Sequence, residues 1–195
     1  MWPWEHLVVG YLLYTLYTHA RGNGSPTTLA VLVLVLATQM PDLIDKPLAW
    51  GLGVLPSGRS FAHSLLFALP AIVAVTVAGV LARVPRIAPA FALGYLSHLA
   101  GDVAYPFLVD GDVVLGFLLW PLVPASDSDP PDGLPHLQEL VADFLGFLLT
   151  PRGTTYLLFE GGLLAFALLV WVWDGMPGVR PVIDAVFPRS RPDGR

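Results

Sequence analysis

Three apolar blocks constrain this chain more than any other feature: Ala30–Thr38, Leu65–Ala82 and Leu157–Trp173 contain no Lys or Arg, and Glu160 is their only acid. A hydrocarbon layer ~30 Å thick is crossed by a helix rising ~1.5 Å per residue, so uncharged stretches near ~18 residues are candidate spans. The composition agrees: 55% of the residues are hydrophobic and 13% charged, against roughly a quarter charged in a soluble domain. The expected class is therefore all-α, an integral membrane bundle of about five hydrophobic helices with a short interfacial or re-entrant segment.

Expected spans run over 7–20, 27–40 (ended by Pro41), 63–82, 87–105 and 154–173. Trp2 and Trp4 suit a headgroup interface beside the first. Between the second and third lies a connector, 42–62, broken by Pro47, Gly51, Gly53 and Pro56. Segment 106–124 reads as a hairpin or re-entrant stretch, 125–135 as an acidic loop with Asp127, Asp129 and Asp132, and 137–150 as an interfacial helix. Residues 1–176 form one helical membrane domain, and 177–195 an Arg- and Pro-rich flexible tail.

Orientation follows from the basic residues. With the N-terminus outside, Arg21, Arg83, Arg86, Arg180, Arg189, Arg191 and Arg195 are cytoplasmic, while Lys46, Arg59 and Arg152 are outside. A seven-to-three bias favours N-out, C-in. The expected location is the inner (cytoplasmic) membrane, multi-pass, with the first apolar stretch retained because it lacks a basic leader region and cleavage site. The chain has no Cys, so thiolate metal sites are excluded. No basic patch with interleaved aromatics points to nucleic acid; the expected partners are membrane lipids and a lipid-linked substrate.

On this topology the ionisable residues converge. His6 opens the first span, Asp42 and Asp45 follow the second, Arg59 and His63 precede the third, and His98 and Asp102 lie toward the outer end of the fourth. Spacings of three (Asp42, Asp45) and four (His98, Asp102) each put side chains on one helix face. Two or three imidazoles with two or three carboxylates make a nitrogen/oxygen ligand set, zinc being favoured and manganese or iron also suited. Arg59 is a candidate for neutralising a phosphate or oxyanion, and Asp42 or Asp45 for general base. His19 and His136 read as peripheral, and Glu160 as either a bundle hydrogen bond or part of the site.

Three stretches in order, Pro41-Asp42-Leu43-Ile44-Asp45, Arg59-Ser60-Phe61-Ala62-His63-Ser64 and Gly94-Tyr95-Leu96-Ser97-His98-Leu99-Ala100-Gly101-Asp102, resemble the membrane-bound metal-dependent hydrolases of the YdjM type (the DUF457 family). His6 and the Gly116 to Trp120-Pro121 stretch also fit, and the likeness covers roughly residues 6–122. Ala62 stands where Thr is expected, and Lys46-Pro47 where His or Arg is more usual. The resemblance implies a membrane hydrolase with His6, Asp42, Asp45, His63, His98 and Asp102 as metal ligands. Location alone suggests a lipid or lipid-linked phosphoester as substrate. The alternatives are a non-catalytic, metal-stabilised scaffold or partner-binding protein and, third, a cation transporter.

Overall fold

Helix-start chemistry divides the chain much as its apolar blocks do. The computed structural model describes residues 1–125 and 133–186, and among these every regular element is helical: α1 (Pro3–Ala20), α2 (Thr28–Lys46), α3 (Leu65–Leu81), α4 (Ile87–Asp110), α5 (Gly133–Leu148), α6 (Pro151–Trp173) and α7 (Arg180–Val186). Thr27, Ser64 and Thr150 cap α2, α3 and α6, each hydroxyl accepting a backbone N–H of the first turn. Gly111, at φ 80°, closes α4 in the left-handed conformation.

Pro41 does not end α2, which continues to Lys46 and passes into a π-helical turn, Pro47–Gly51. A proline inside a helix withdraws one N–H and strains the preceding turn, and packed neighbours can make good the loss. Beside Pro41, whose missing N–H leaves the Ala37 carbonyl without its helical donor, the Thr38 carbonyl is met by His98 Nδ1 at 2.7 Å. Half of the expected connector is thus helical, and Asp42 and Asp45 are held on a rigid element. Helix α4 likewise runs through Pro106 to Asp110. The start of segment 106–124 completes α4, and after it a short 3₁₀ turn, Gly116–Leu119, folds back onto α3. The Ser64 hydroxyl donates to the Trp120 carbonyl at 2.6 Å, which fastens it there.

Helix α4 is central, packing against α1, α2 and α3. Small residues allow the close approach: a Cβ on Gly10 would lie 2.5 Å from Thr38 Cγ2, and one on Gly94 3.0 Å from Ala37 Cβ. Tyr14 and Leu34 fill one core cluster, and Ala37, Phe91, Tyr95 and Leu99 a second. The distribution of polarity is inverted relative to a soluble bundle. Leu32, Leu36, Val73, Val77, Leu158 and Leu168 face outward, while His6, Asp45, His63 and His98 are buried.

Two helical stretches, Thr28–Gly51 and Pro151–Trp173, are long and apolar enough to cross a membrane, and α3 is apolar but shorter. Helices α1 and α4 fall below that mark because they carry the buried polar residues, Glu5 and His6 on one, His98 and Asp102 on the other. Helix α7 forms within the stretch expected to be a flexible tail. Asp127, Asp129 and Asp132, and Arg189, Arg191 and Arg195, lie outside the described residues.

Candidate metal centre

The site is organised from Asp45 outward. Its carboxylate is fully buried and accepts the backbone N–H groups of Ser60 (2.9 Å), Ala62 (2.8 Å) and His63 (3.1 Å). The loop before α3 is thereby wrapped around the end of α2. Two further bonds fix it: Ser60 Oγ donates to the Ser57 carbonyl at 2.8 Å, and Tyr95 Oη to the Ala62 carbonyl at 2.6 Å. Asp45 also meets His63 Nδ1 at 2.8 Å.

That contact sets the chemistry of the ring. A carboxylate can only accept here, so His63 Nδ1 carries the proton and Nε2 faces inward. The backbone does the same for His98, whose Nδ1 lies 2.7 Å from the Thr38 carbonyl. Two imidazoles, each with Nδ1 committed to an obligate acceptor, therefore present their Nε2 atoms to one another at 3.1 Å. Two bare lone pairs at that distance repel unless a cation, a proton or a metal, lies between or beside them.

Two carboxylates complete the group. His63 Nε2 is 3.4 Å from Asp42 Oδ1 and 3.3 Å from Asp102 Oδ2. His98 Nε2 is 3.8 Å from Asp42 Oδ1 and 3.7 Å from Asp102 Oδ2. All four donors lie within 4.8 Å of one another. With metal–ligand bonds of ~2.0–2.1 Å, the donors of a tetrahedral site stand about 3.3–3.4 Å apart. The residues fit a divalent ion in both chemistry and spacing.

The other expected ligands are placed differently. His6 is buried and stacks on His98 with ring centroids 3.7 Å apart. Its Nε2 is 3.3 Å from Asp102 Oδ1, the oxygen that also meets the Met1 α-ammonium, and neither ring nitrogen makes a hydrogen bond. Asp45 stands behind His63 with both oxygens engaged. The Arg59 guanidinium lies over the Phe117 ring, 5.8 Å from its centroid, and that ring is edge-on to His63. His136 meets Trp50 edge-on. Glu160 is buried beside Glu5, outside the four-donor group.

Sequence reading missed two features. Lys46 Nζ is 2.6 Å from Asp42 Oδ2, an i, i+4 pair visible only once α2 is known to pass Pro41. At the opposite end of α1, the buried Asp174 carboxylate accepts from Tyr11 Oη (2.7 Å) and Thr15 Oγ1 (2.6 Å) and pairs with His19 Nε2 at 2.8 Å. Their spacing along α1, four and eight residues, was the available signal.

His63 lies in the loop before α3, outside the helices. Burial pushes its imidazole down, but Asp102, Asp42 and Asp45 together outweigh burial and raise it to about 10. At neutral pH a proton thus occupies the position a metal would take. Metal loading must displace it, so affinity rises with pH up to that value. Zinc titration calorimetry in buffers of different ionisation enthalpy should read about one proton released per chain; a buffer-independent heat would contradict this.

One family model, the YdjM inner membrane protein, matches residues 1–175. No curated protein matches the chain, and no solved structure does.

Proposed function

Because the chain belongs to the YdjM inner membrane protein family, we propose that it is a multi-pass membrane hydrolase with one divalent metal held by Asp42, His63, His98 and Asp102. The observation that carries this reading is the pair of inward Nε2 atoms 3.1 Å apart, each fixed by an acceptor on its Nδ1. Such outer acceptors are the usual means of orienting histidine ligands.

The apolar exterior of α2, α3 and α6 supports embedding of residues 1–176 as one domain, with about five crossings in the N-out, C-in sense. The site then lies toward the outer surface, within reach of a lipid or lipid-linked phosphoester. A divalent ion there would lower the pKa of a coordinated water to near 7 and polarise the scissile group. Asp45 acts as the positioning carboxylate for His63 rather than as ligand or base, since four donors already occupy it. Asp42 contributes Oδ1 as a ligand, its Oδ2 being held by Lys46. His6 supports the centre through its stacking on His98. Arg59, one ring removed from His63, is a candidate for the developing anion.

A second reading is favoured by the donor count. Four protein donors at tetrahedral spacing resemble a closed zinc site, which stabilises structure and leaves no place for water. Water-proton relaxation of the manganese-loaded protein separates the two. About two exchangeable waters complete an octahedron around four donors and support hydrolysis; a count of zero overturns it in favour of a metal-stabilised scaffold.

A further inference from the structure

A cavity of about 280 Å³ lies beside the four-donor group, joined to it through Lys46 and Met1, which pair with Asp42 and Asp102. Its place follows from two neighbours of that group. Lys46, which lines it, holds Asp42 Oδ2. Tyr105, also in its wall, follows Asp102 by three residues on α4. Trp2, Trp50 and two residues of α5, Leu137 and Leu140, supply the rest of the relevant surface.

The chemistry of this lining is asymmetric. Two cations line it, the Lys46 ammonium and the Met1 α-ammonium, the latter 3.3 Å from Asp102 Oδ1. An ammonium has three N–H donors, and Asp42 takes one of them at 2.6 Å. The Nζ lies 5.6 Å from the centroid of the Trp50 ring, and the side chain is 30% exposed. The other lining side chains are aromatic or aliphatic. The α5 wall belongs to a helix whose Leu137, Leu140, Val141, Phe144 and Leu145 recur at helical spacing, while Glu139 and Asp143 fall between them. That pattern suits a helix lying in a membrane interface.

A neutral lipid would have no use for Lys46, and a free inorganic anion none for the apolar walls. We propose that the cavity receives the phosphate-bearing head of an amphiphilic phosphoester, with Lys46 selecting for the anion and Trp2, Leu137 and Leu140 taking the first carbons of its apolar chain. The volume, just below the ~300–1,000 Å³ of whole-ligand pockets, fits a head and a short length of chain, the remainder staying in the bilayer. As a statement about substrate class this rests on the hydrolase reading. Lys46 is a specificity residue in it, since Asp42 keeps Oδ1 for the ring nitrogens while Oδ2 holds the ammonium at the cavity edge.

The test is native mass spectrometry of the full chain in detergent and chelator, so that no turnover consumes the probe. Three probes are titrated: dioctanoyl phosphatidic acid, dioctanoylglycerol and inorganic phosphate. The wild type is expected to bind the phosphatidic acid at least about tenfold more tightly than either of the others, the scale of one charge-assisted hydrogen bond. Lys46→Gln should abolish the preference over dioctanoylglycerol, and Lys46→Arg should keep it. Leu137→Ser with Leu140→Ser should weaken both diacyl probes and leave inorganic phosphate unchanged, which keeps the proposal testable if Lys46→Gln does not fold. An undiminished preference in Lys46→Gln, or inorganic phosphate binding as tightly as the phosphatidic acid, overturns it. Failure of the metal centre is read separately, by metal content, and leaves this titration unchanged.

Discussion

In the His98→Ala protein, bound divalent metal is expected to fall from about one ion per chain to near zero after dialysis against zinc or manganese. The argument is one of donor number and aim. His98 supplies one of four donors, and its Nε2 is directed by the bond from Nδ1 to the Thr38 carbonyl. No neighbour can substitute. His6 stacks on the same ring but lies outside the four-donor group, its Nε2 3.3 Å from Asp102 Oδ1. Elemental analysis of detergent-purified protein reads the outcome directly. His19→Ala is the matched control: it removes an imidazole that pairs with Asp174 at the other end of α1, so it should weaken α1–α6 docking while leaving metal content intact. Full metal retention in His98→Ala would sink the assignment of the centre.

Much of this centre was legible beforehand because apolar blocks fix depth. Once α2 and α4 are read as helices, Asp42 must lie near one end of the first, and His98 and Asp102 on one face of the second. Their meeting with His63 follows from topology. The division of labour between Asp42 and Asp45 was not legible. Both sit on α2 three residues apart, and nothing in their identity says which faces the ring nitrogens. That depends on the backbone N–H groups of Ser60, Ala62 and His63, which carry no signature in residue type. The continuation of α2 through Pro41 was hidden for a similar reason, since α4, which packs along that turn and brings His98 to the Thr38 carbonyl, lies far off in sequence. Tyr11, Thr15 and His19 do form a visible polar stripe on α1, but their acceptor, Asp174, lies more than 150 residues away.

The division of labour has its own expected result: Asp45→Asn and Asp42→Asn both reduce metal binding, but the first lowers the melting temperature of metal-free protein much more than the second. Asp45 is acceptor to three backbone N–H groups and to an imidazole, all buried. An amide of the same shape keeps one acceptor oxygen and turns an NH₂ toward N–H donors that it cannot satisfy. A buried donor left unpaired costs ~1–3 kcal/mol, so the loss in chelator should be on the order of 2 kcal/mol or more. With His63 no longer held, metal affinity should fall about 10–100-fold, the scale of a lost outer-sphere partner. Asp42 Oδ2 is held instead by Lys46, which is part exposed and can turn to water. Its amide should therefore lose a metal donor without unfolding the loop. Thermal melts in chelator, set beside zinc titrations of both variants, decide the matter. An Asp45→Asn protein that melts with the wild type and binds zinc as tightly would mean that the loop holds His63 in place by packing alone.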